Sequence, residues 1–494
     1  MAIYFGSTDS KISGALGRAV KAGKMRRIAS RIYTDDLKSP VEDLVRRHRW
    51  EILAHFYPGA VVSHRSAFEA NVSPQGKLHI SRPGGPRPKK ILPGMEICIW
   101  QGPGAQPEDA QTGFGLNEAL FASGQARAIL ENMQIERARG DDEAKILSRE
   151  QIESWLDQQI RVFSIEWLET LLAQTEKLAV RLGWQREQRV FAGLVAAFRN
   201  QASSQRLVTE VARARAIGKP YDPERVTLFG LVQARLATEQ FIELPAATSA
   251  EFENRAFWEA YFSNYIEGTK FTVEEAQAIV FNPSVAKDLT RKRPEDAHDV
   301  LETFRLIADP KISKEIAKTP DDFIALVKRR HARMMASRID VEPGVFKNKD
   351  NSFGSRVFVR WQLVDETLKR GFLLVNTLPT AEARALYMLF LLSEVHPFND
   401  SNGRISRLGM NAELEAAGHA RLILPTSLRT DYIGVLELLT SHGDPGAFVR
   451  FGHKLIEMNK QMPFASFDAS YAYFRKTGAL EEIPSTFNFS DLPK

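Results

Sequence analysis

The run PTAEARALYMLFLLSEV (379–395) starts on proline, has an acid in its first turn and continues as an apolar stretch without glycine. That pattern predicts a buried helix reaching Val395, where Pro397 stops it. RISRLGMNAELEAAG (404–418) spaces Ile405, Leu408, Ala412 and Leu414 at helical intervals and closes at Gly418, so a second helix is expected to open near Asn402 or Gly403. Upstream, FENRAFWEAYF (252–262) reads as an aromatic-rich helix that Gly268 ends, and the runs at 148–182 and 186–201 read as further helices. In VEPGVFKNKDNSFGSRVFVRW (341–361), Pro343-Gly344 marks a turn, 348–354 a polar loop and Arg356 to Trp361 a strand, together a short hairpin. At the start, SKISGALGRAVKAGKMRRIASRIYT (10–34) predicts a helix with Ile12, Leu16, Ala19 and Val20 on one side, ended by Gly23, then two short strands about Ala29-Ser30.

The two helices at 379–395 and 404–418 enclose the loop HPFNDSNGRISR (396–407), and its residue types suit phosphate chemistry. A helix N-terminus presents free N–H groups at its positive dipole end, and Gly403 permits close approach to them. Arg404 and Arg407, three residues apart, can lie on one face and offer cationic forks to a polyphosphate. Asp400 is the only acid in the loop, and one carboxylate completed by phosphates and waters is a common Mg²⁺ arrangement. His396 is the group able to accept a proton near neutral pH. These parts describe transfer from a magnesium nucleotide to a hydroxyl.

The loop resembles the signature of the Fic family, His-Pro-Phe-x-Asp-Gly-Asn-Gly-Arg-x-x-Arg, with Ser401 where the family has its first glycine. The resemblance implies transfer of AMP from ATP to a Ser, Thr or Tyr hydroxyl of a target protein or of the chain itself. It implies His396 as general base, Asp400 as Mg²⁺ ligand, the 401–404 segment (Ser401, Asn402, Gly403, Arg404) as phosphate cradle and Arg407 at the γ-phosphate. Serine at 401 strains the cradle if φ is positive, whereas at negative φ its hydroxyl can cap the next helix. A degenerate, inactive copy is the alternative.

SNYIEGTKFT (263–272) places Ser263 and Glu267 four apart, on one helix face, before Gly268. Ser-x-x-x-Glu-Gly resembles the inhibitory helix of Fic proteins that carry their inhibitor upstream, which implies Glu267 against Arg407. The family also has a hairpin flap where 341–361 lies, docking the target by strand addition. Tyr432, in LPTSLRTDYIGVLELLT (424–440), is placed by the same resemblance to stack on adenine.

Composition narrows the rest. With 494 residues, 44% of them hydrophobic, the chain can form two or three domains with real cores, and no apolar run approaches a membrane span. The single cysteine, Cys98, excludes an internal disulfide, and the start lacks a secretory pattern, so a cytoplasmic location is expected. The net charge is +5; residues 1–50 hold eleven Lys and Arg against five Asp and Glu, so the basic surplus is N-terminal. A basic helix followed by a hairpin is the second half of a winged helix-turn-helix. That segment, with AVVSHRSAFEA (60–70), resembles the DNA-binding region of AbiEi-type antitoxins, with its first helices shortened. It implies DNA as a partner; a basic docking module for a protein is the alternative. GRAVKAGKM (17–25) is not a P-loop, because five residues separate its glycines and Met25 stands where Ser or Thr would be needed. No His-Glu-x-x-His run supports a catalytic zinc, and His442 reads as a loop residue.

The expected fold class is mainly α: a helical Fic domain with a β-hairpin flap, preceded by an α/β winged-helix-like domain. The expected domains are 1–60, the basic module; 61–130, a β-containing extension with a loop at 83–90; 131–234, helical, with a solvated charged stretch at 136–145; 235–460, the Fic domain; and 461–494, a loosely packed tail. A homodimer is a further expectation. Three functions stand: an AMP transferase held off by Glu267, the reverse enzyme that removes AMP, and a DNA-binding, antitoxin-like regulator with a sensory or spent Fic domain.

Overall fold

The computed structural model describes residues 2–7, 10–84, 89–111, 120–136, 143–354 and 356–482. Two compact units divide the chain, Met1–Gly218 and Lys219–Lys494. Parts of the expected loop at 83–90, of the charged stretch at 136–145 and of the tail beyond 482 lie outside the described residues.

In the first unit, β1 (Ile3–Phe5), α1 (Ser10–Lys21), β2 (Arg26–Ala29) and β3 (Ile32–Thr34) form an antiparallel sheet in the order β1-β3-β2 beside one helix. No residue of α1 is fully buried: of the expected apolar face Ile12 is 47% exposed, whereas Leu16, Ala19 and Val20 are half-buried. Then come α2 (Val41–Arg47), α3 (Arg49–Phe56), β4 (Val61–Val62), α4 (Arg65–Glu69), β5 (Lys77–Arg82), β6 (Lys90–Leu92), β7 (Met95–Gln101), β8 (Ala110–Gln111) and β9 (Phe121–Ala122). The last six strands make a mixed sheet, β6-β7-β5-β4-β9-β8, with β5 parallel to β7 and β4 parallel to β9. Helices α5 (Gln125–Asn132), α6 (Arg149–Phe163), α7 (Ile165–Leu182), α8 (Gln185–Phe198) and α9 (Glu210–Ala216) surround a second core. The 136–145 stretch is less solvated than expected at its described end: Lys145 is partly buried, its ammonium bonded to Gln134, because Arg65 takes the carbonyls of Ala144 and Lys145.

The second unit is helical: α10 (Pro223–Leu236), α11 (Ser249–Ile266), α12 (Val273–Phe281), α13 (Lys287–Lys292), α14 (Pro294–Ala308), α15 (Pro310–Ser313), α16 (Pro320–Met334), the hairpin β10 (Ser352–Phe353) and β11 (Arg356–Val357), α17 (Val364–Phe372), α18 (Ala381–Val395), α19 (Asn402–Ala416), α20 (Arg429–His442), α21 (Gly446–Gln461) and α22 (Phe467–Thr477). Thr380 caps α18 by accepting the Ala383 N–H, and the helix is buried on nearly every side, walled by α10, α17, α19 and α20. It packs so closely on α19 that a β-carbon at Gly409 would meet Leu392 and Met388. Three expectations are corrected here. The strand at 356–361 lasts two residues, Arg356–Val357, because only Ser352 and Phe353 pair with it, and a 3₁₀ turn follows at Trp361. The segment after 460 packs firmly as far as it is described, with Phe464, Phe474 and Ala479 in the core. His442 is the last residue of α20 rather than a loop residue. No helix of the described residues is long and apolar enough to cross a membrane.

Candidate active site

The 396–407 loop folds as the turn between α18 and α19, and its own side chains set its shape. The Asn402 amide accepts the Phe398 N–H and donates to the Phe398 carbonyl, at 2.8 and 2.9 Å, closing the loop on itself. Asn351 donates to the same carbonyl and the Lys347 N–H bonds the Pro397 carbonyl, which tie the flap to the loop. His331 of α16 stacks on Phe398 with ring centroids 3.7 Å apart, accepts the Gly344 N–H on Nδ1 and meets the Asp400 carbonyl with Nε2.

His396 caps α18 in the left-handed region, φ 53°. Its ring stacks on Phe358 at 3.8 Å and it bonds the Ser393 backbone. Burial foremost, then the Lys347 charge, pushes its pKa down to about 3, although Glu267 pulls the other way. The imidazole is therefore neutral at physiological pH, the state a general base requires. Lys347, 2% exposed, is itself pushed down to about 7 by burial.

Arg407 is held by α11. Its Nε donates to Ser263 Oγ at 2.9 Å, and its Nη2 donates to the Ser263 carbonyl at 3.0 Å and to Glu267 Oε1 at 2.7 Å. Its Nη1 is buried with no acceptor. Burial alone would raise the Glu267 pKa, but Arg407 and then Arg404 outweigh it and hold the carboxylate ionised. Gly268, at φ +99°, turns the chain away directly after Glu267. A β-carbon at Gly403 would overlap the Glu267 carboxylate, so the glycine lets Glu267 rest on the N-terminus of α19.

Glu267, His396, Gly403, Arg407 and Tyr432 share one cleft of about 680 Å³ counted to its open mouth, with Arg356, Phe358, Ser393 and Arg429 also in its wall. Tyr432 is buried beside Phe451 and its hydroxyl shares a 2.7 Å hydrogen bond with Ser393. The Asp400 carboxylate is exposed and accepts the Ser401 N–H. No group of three His, Cys, Asp or Glu suited to a metal exists among the described residues, so a hard cation on Asp400 would need phosphate oxygens and water as its other ligands, which is how Mg²⁺ is usually bound beside nucleotides.

One sequence expectation differs from the geometry, and the choice left open at Ser401 falls to the left-handed state. Arg404 does not reach the cleft: its Nη1 bonds Asn264 and buried Asp299 at 3.0 and 2.9 Å, and its Nη2 bonds Ser401 Oγ. A guanidinium 3% exposed is held by whichever carboxylate is nearby, and here that is Asp299 of α14. Ser401 adopts φ 64°, ψ 16° and makes no capping bond; its hydroxyl accepts from Arg404 and touches Met335 Sδ. The left-handed backbone costs serine about 1 kcal/mol, and the Arg404 bond returns a similar amount. Ser401→Gly should therefore shift the unfolding free energy by less than about 1 kcal/mol in urea titration, and any activity by less than about threefold.

The pKa of His396 gives a second expectation. Because the folded value lies below the ordinary 6.5, the neutral ring contributes stability that is present above pH 6.5 and lost as pH falls towards 3. For the Glu267→Gly variant, kcat/KM for transfer should hold down to about pH 5, without the acid limb near 6.5 that an exposed histidine would give.

Of the wall residues, Arg356, Ser393 and Arg429 carried no site expectation from the sequence, and neither did Lys347, whose charge acts on His396. Ser393 alone had a local signal, three residues before His396 on one helix.

A buried helix, a tight loop and a second helix, tied to a short hairpin, build the site. Residues 323–414 match the family model described as Fic/DOC family, and the chain carries a Fic domain there. Among curated proteins, the chain is 29% identical over 212 residues to a protein adenylyltransferase Fic of Nematostella vectensis, covering 40% of this chain and 47% of that protein. It is 28% identical over 215 residues to the protein of that name from Drosophila melanogaster, covering 40% and 41%. The matched region thus spans less than half the length of these relatives. A solved structure of Fic-1 (residues 134–508) from C. elegans is 18% identical with a TM-score of 0.35, over 66% of this chain and 98% of that one.

Proposed function

We propose that the second unit transfers AMP from Mg-ATP to a protein hydroxyl and that Glu267 holds this activity off. The observation that carries the reading is the single cleft in which a neutral His396 and a buried Arg407 with one unsatisfied nitrogen face the N-terminus of α19 at Gly403. His396 takes the proton of the attacking hydroxyl on the ring nitrogen not engaged with Ser393. The hydroxyl oxygen bonds to the α-phosphorus and the bond to pyrophosphate breaks. The α19 N-terminus and Arg407 bind phosphate oxygens, charge stabilisation that preorganised donors supply without rearranging. Asp400 would hold Mg²⁺, which supplies neutralisation of phosphate charge. Glu267 occupies the Arg407 fork, so it excludes the terminal phosphate by both volume and charge. Tyr432 is assigned to the adenine, and the flap, with Phe353 49% and Val357 57% exposed, to the target segment. Intact-mass spectrometry of Glu267→Gly after incubation with Mg²⁺ and ATP tests this, since an AMP increment on the chain or on added lysate protein is expected; its absence from both, with nucleotide bound, counts against it.

Removal of AMP by the same site is the second reading, and it is favoured by Glu267, whose carboxylate stays ionised and 26% exposed in the wall it shares with His396. It predicts release of AMP from a modified protein by the wild type and none by Glu267→Gly.

The first unit supports a DNA-binding role. Helix α1 carries Lys11, Arg18 and Lys21, all exposed, and no acid, and connects β1 to a hairpin turning at Arg31. In this reading the chain is a regulator whose Fic domain acts as a sensor. Binding to its own promoter fragment should weaken steeply with salt; flat salt dependence removes the proposal.

A further inference from the structure

A second cavity, of about 450 Å³ to its mouth, opens between the segment that leads into α11 and the one that follows α19. Arg255 forms part of its wall and is only 8% exposed. Its Nη1 donates to the Arg421 carbonyl at 2.8 Å and its face lies 4.0 Å from the Phe464 ring centroid. Nε is buried with no acceptor, and among the described residues no carboxylate lies within ion-pair range of this guanidinium. Burial lowers its pKa to about 10, which still leaves a cation at neutral pH.

The other charged or polar groups around the cavity are paired or stand at its rim, His419 being bonded to Glu382. Glu415 lines it, but both its oxygens are taken by Arg421, whose Nη1 is in turn given to Glu259. Glu251, the one acid acting on Arg255, receives the Thr248 N–H in a helix cap. Lys314 stands exposed at the rim with its ammonium unbonded among the described residues. Ala246, Ala247, Gly418 and Ala420 leave the space open. A buried cation with no carboxylate in direct contact, and with Glu251 already tied into a helix cap, is under-compensated, and a guanidinium with only Nη1 given to a carbonyl has donors left for an oxyanion.

We propose that this cavity binds a small oxyanion of the phosphate class, held by Arg255 and completed by Lys314. Two cations suit a dianion better than a carboxylate. Arg255 and Glu267 are twelve positions apart along α11, about 18 Å at the helical rise. The site is thus separate from the nucleotide cleft and does not rest on the transfer reaction.

The test uses the whole chain. Inorganic phosphate is titrated at constant ionic strength against wild type, Arg255→Met and Lys314→Ala, read by ³¹P line broadening and by thermal unfolding, with acetate as a parallel titrant. Saturable phosphate binding is expected in the wild type, weakened about tenfold by Arg255→Met and about threefold by Lys314→Ala, with acetate at least about tenfold weaker. No saturable binding, equal phosphate affinity in all three proteins, or acetate binding as well as phosphate each overturns the proposal. If Arg255→Met does not fold, Lys314→Ala and Lys314→Glu, altered only at the exposed rim, decide it alone.

Discussion

Glu267→Gly should raise AMP transfer at least about tenfold, with most of the gain in productive binding of Mg-ATP. In the resting protein the Arg407 guanidinium is divided between Ser263 and Glu267, and only Nη1 lacks an acceptor. A γ-phosphate entering there would lie beside an ionised carboxylate. Removing that carboxylate exchanges repulsion for a charge-assisted bond, and glycine brings no side chain to fill the space above Gly403. Ser263 still holds Arg407 in place, so the fork should remain oriented. Ser263→Ala would leave Arg407 with Glu267 but without its Nε acceptor, and should not release activity. Calorimetric titration with Mg-ATP and initial rates of transfer, measured on the same preparations, separate binding from turnover.

His396→Ala, placed in the Glu267→Gly background, should lower transfer by about a thousandfold or more while changing Mg-ATP affinity by less than about threefold, because general-base catalysis contributes about 10² to 10⁴ and the ring holds no phosphate. Stability should fall as well, since removing a ring stacked between Phe358 and the end of α18 leaves a void. Circular dichroism and the ATP titration guard against reading lost structure as lost chemistry. His396→Asn, which keeps polarity and part of the volume, should be as inactive as alanine and more stable.

Much of this site was legible because its signals are local. The helix, the stop at Pro397, the loop and the restart at Asn402 follow from neighbours in sequence, and Ser263 and Glu267 share a face by helical spacing alone. Ser401 was legible only as a choice between two backbone states. Its φ is set by the closure of the loop through Asn402 and Phe398, and that geometry wins over the cost to a β-carbon. Arg404 was misjudged for a different reason: its partner Asp299 lies 105 residues upstream, and nothing near position 404 announces a buried carboxylate. Lys347 and His331 entered through the flap and α16, contacts that depend on how distant helices pack. In the first unit the helix and hairpin at 10–34 were readable, whereas the mixed sheet was not. Its β4 and β9 ladders are two residues long, and parallel pairing across 60 residues leaves no mark in local hydropathy.

The measurement that most directly tests the central claim is incubation of wild type, Glu267→Gly and Glu267→Gly/His396→Ala with Mg²⁺ and ATP labelled at the α-phosphate, alone and with cell lysate. A transferase restrained by Glu267 and driven by His396 gives labelled protein with the single variant, little with wild type and none with the double variant. Equal labelling by wild type and Glu267→Gly, or labelling that survives the loss of His396, would contradict it.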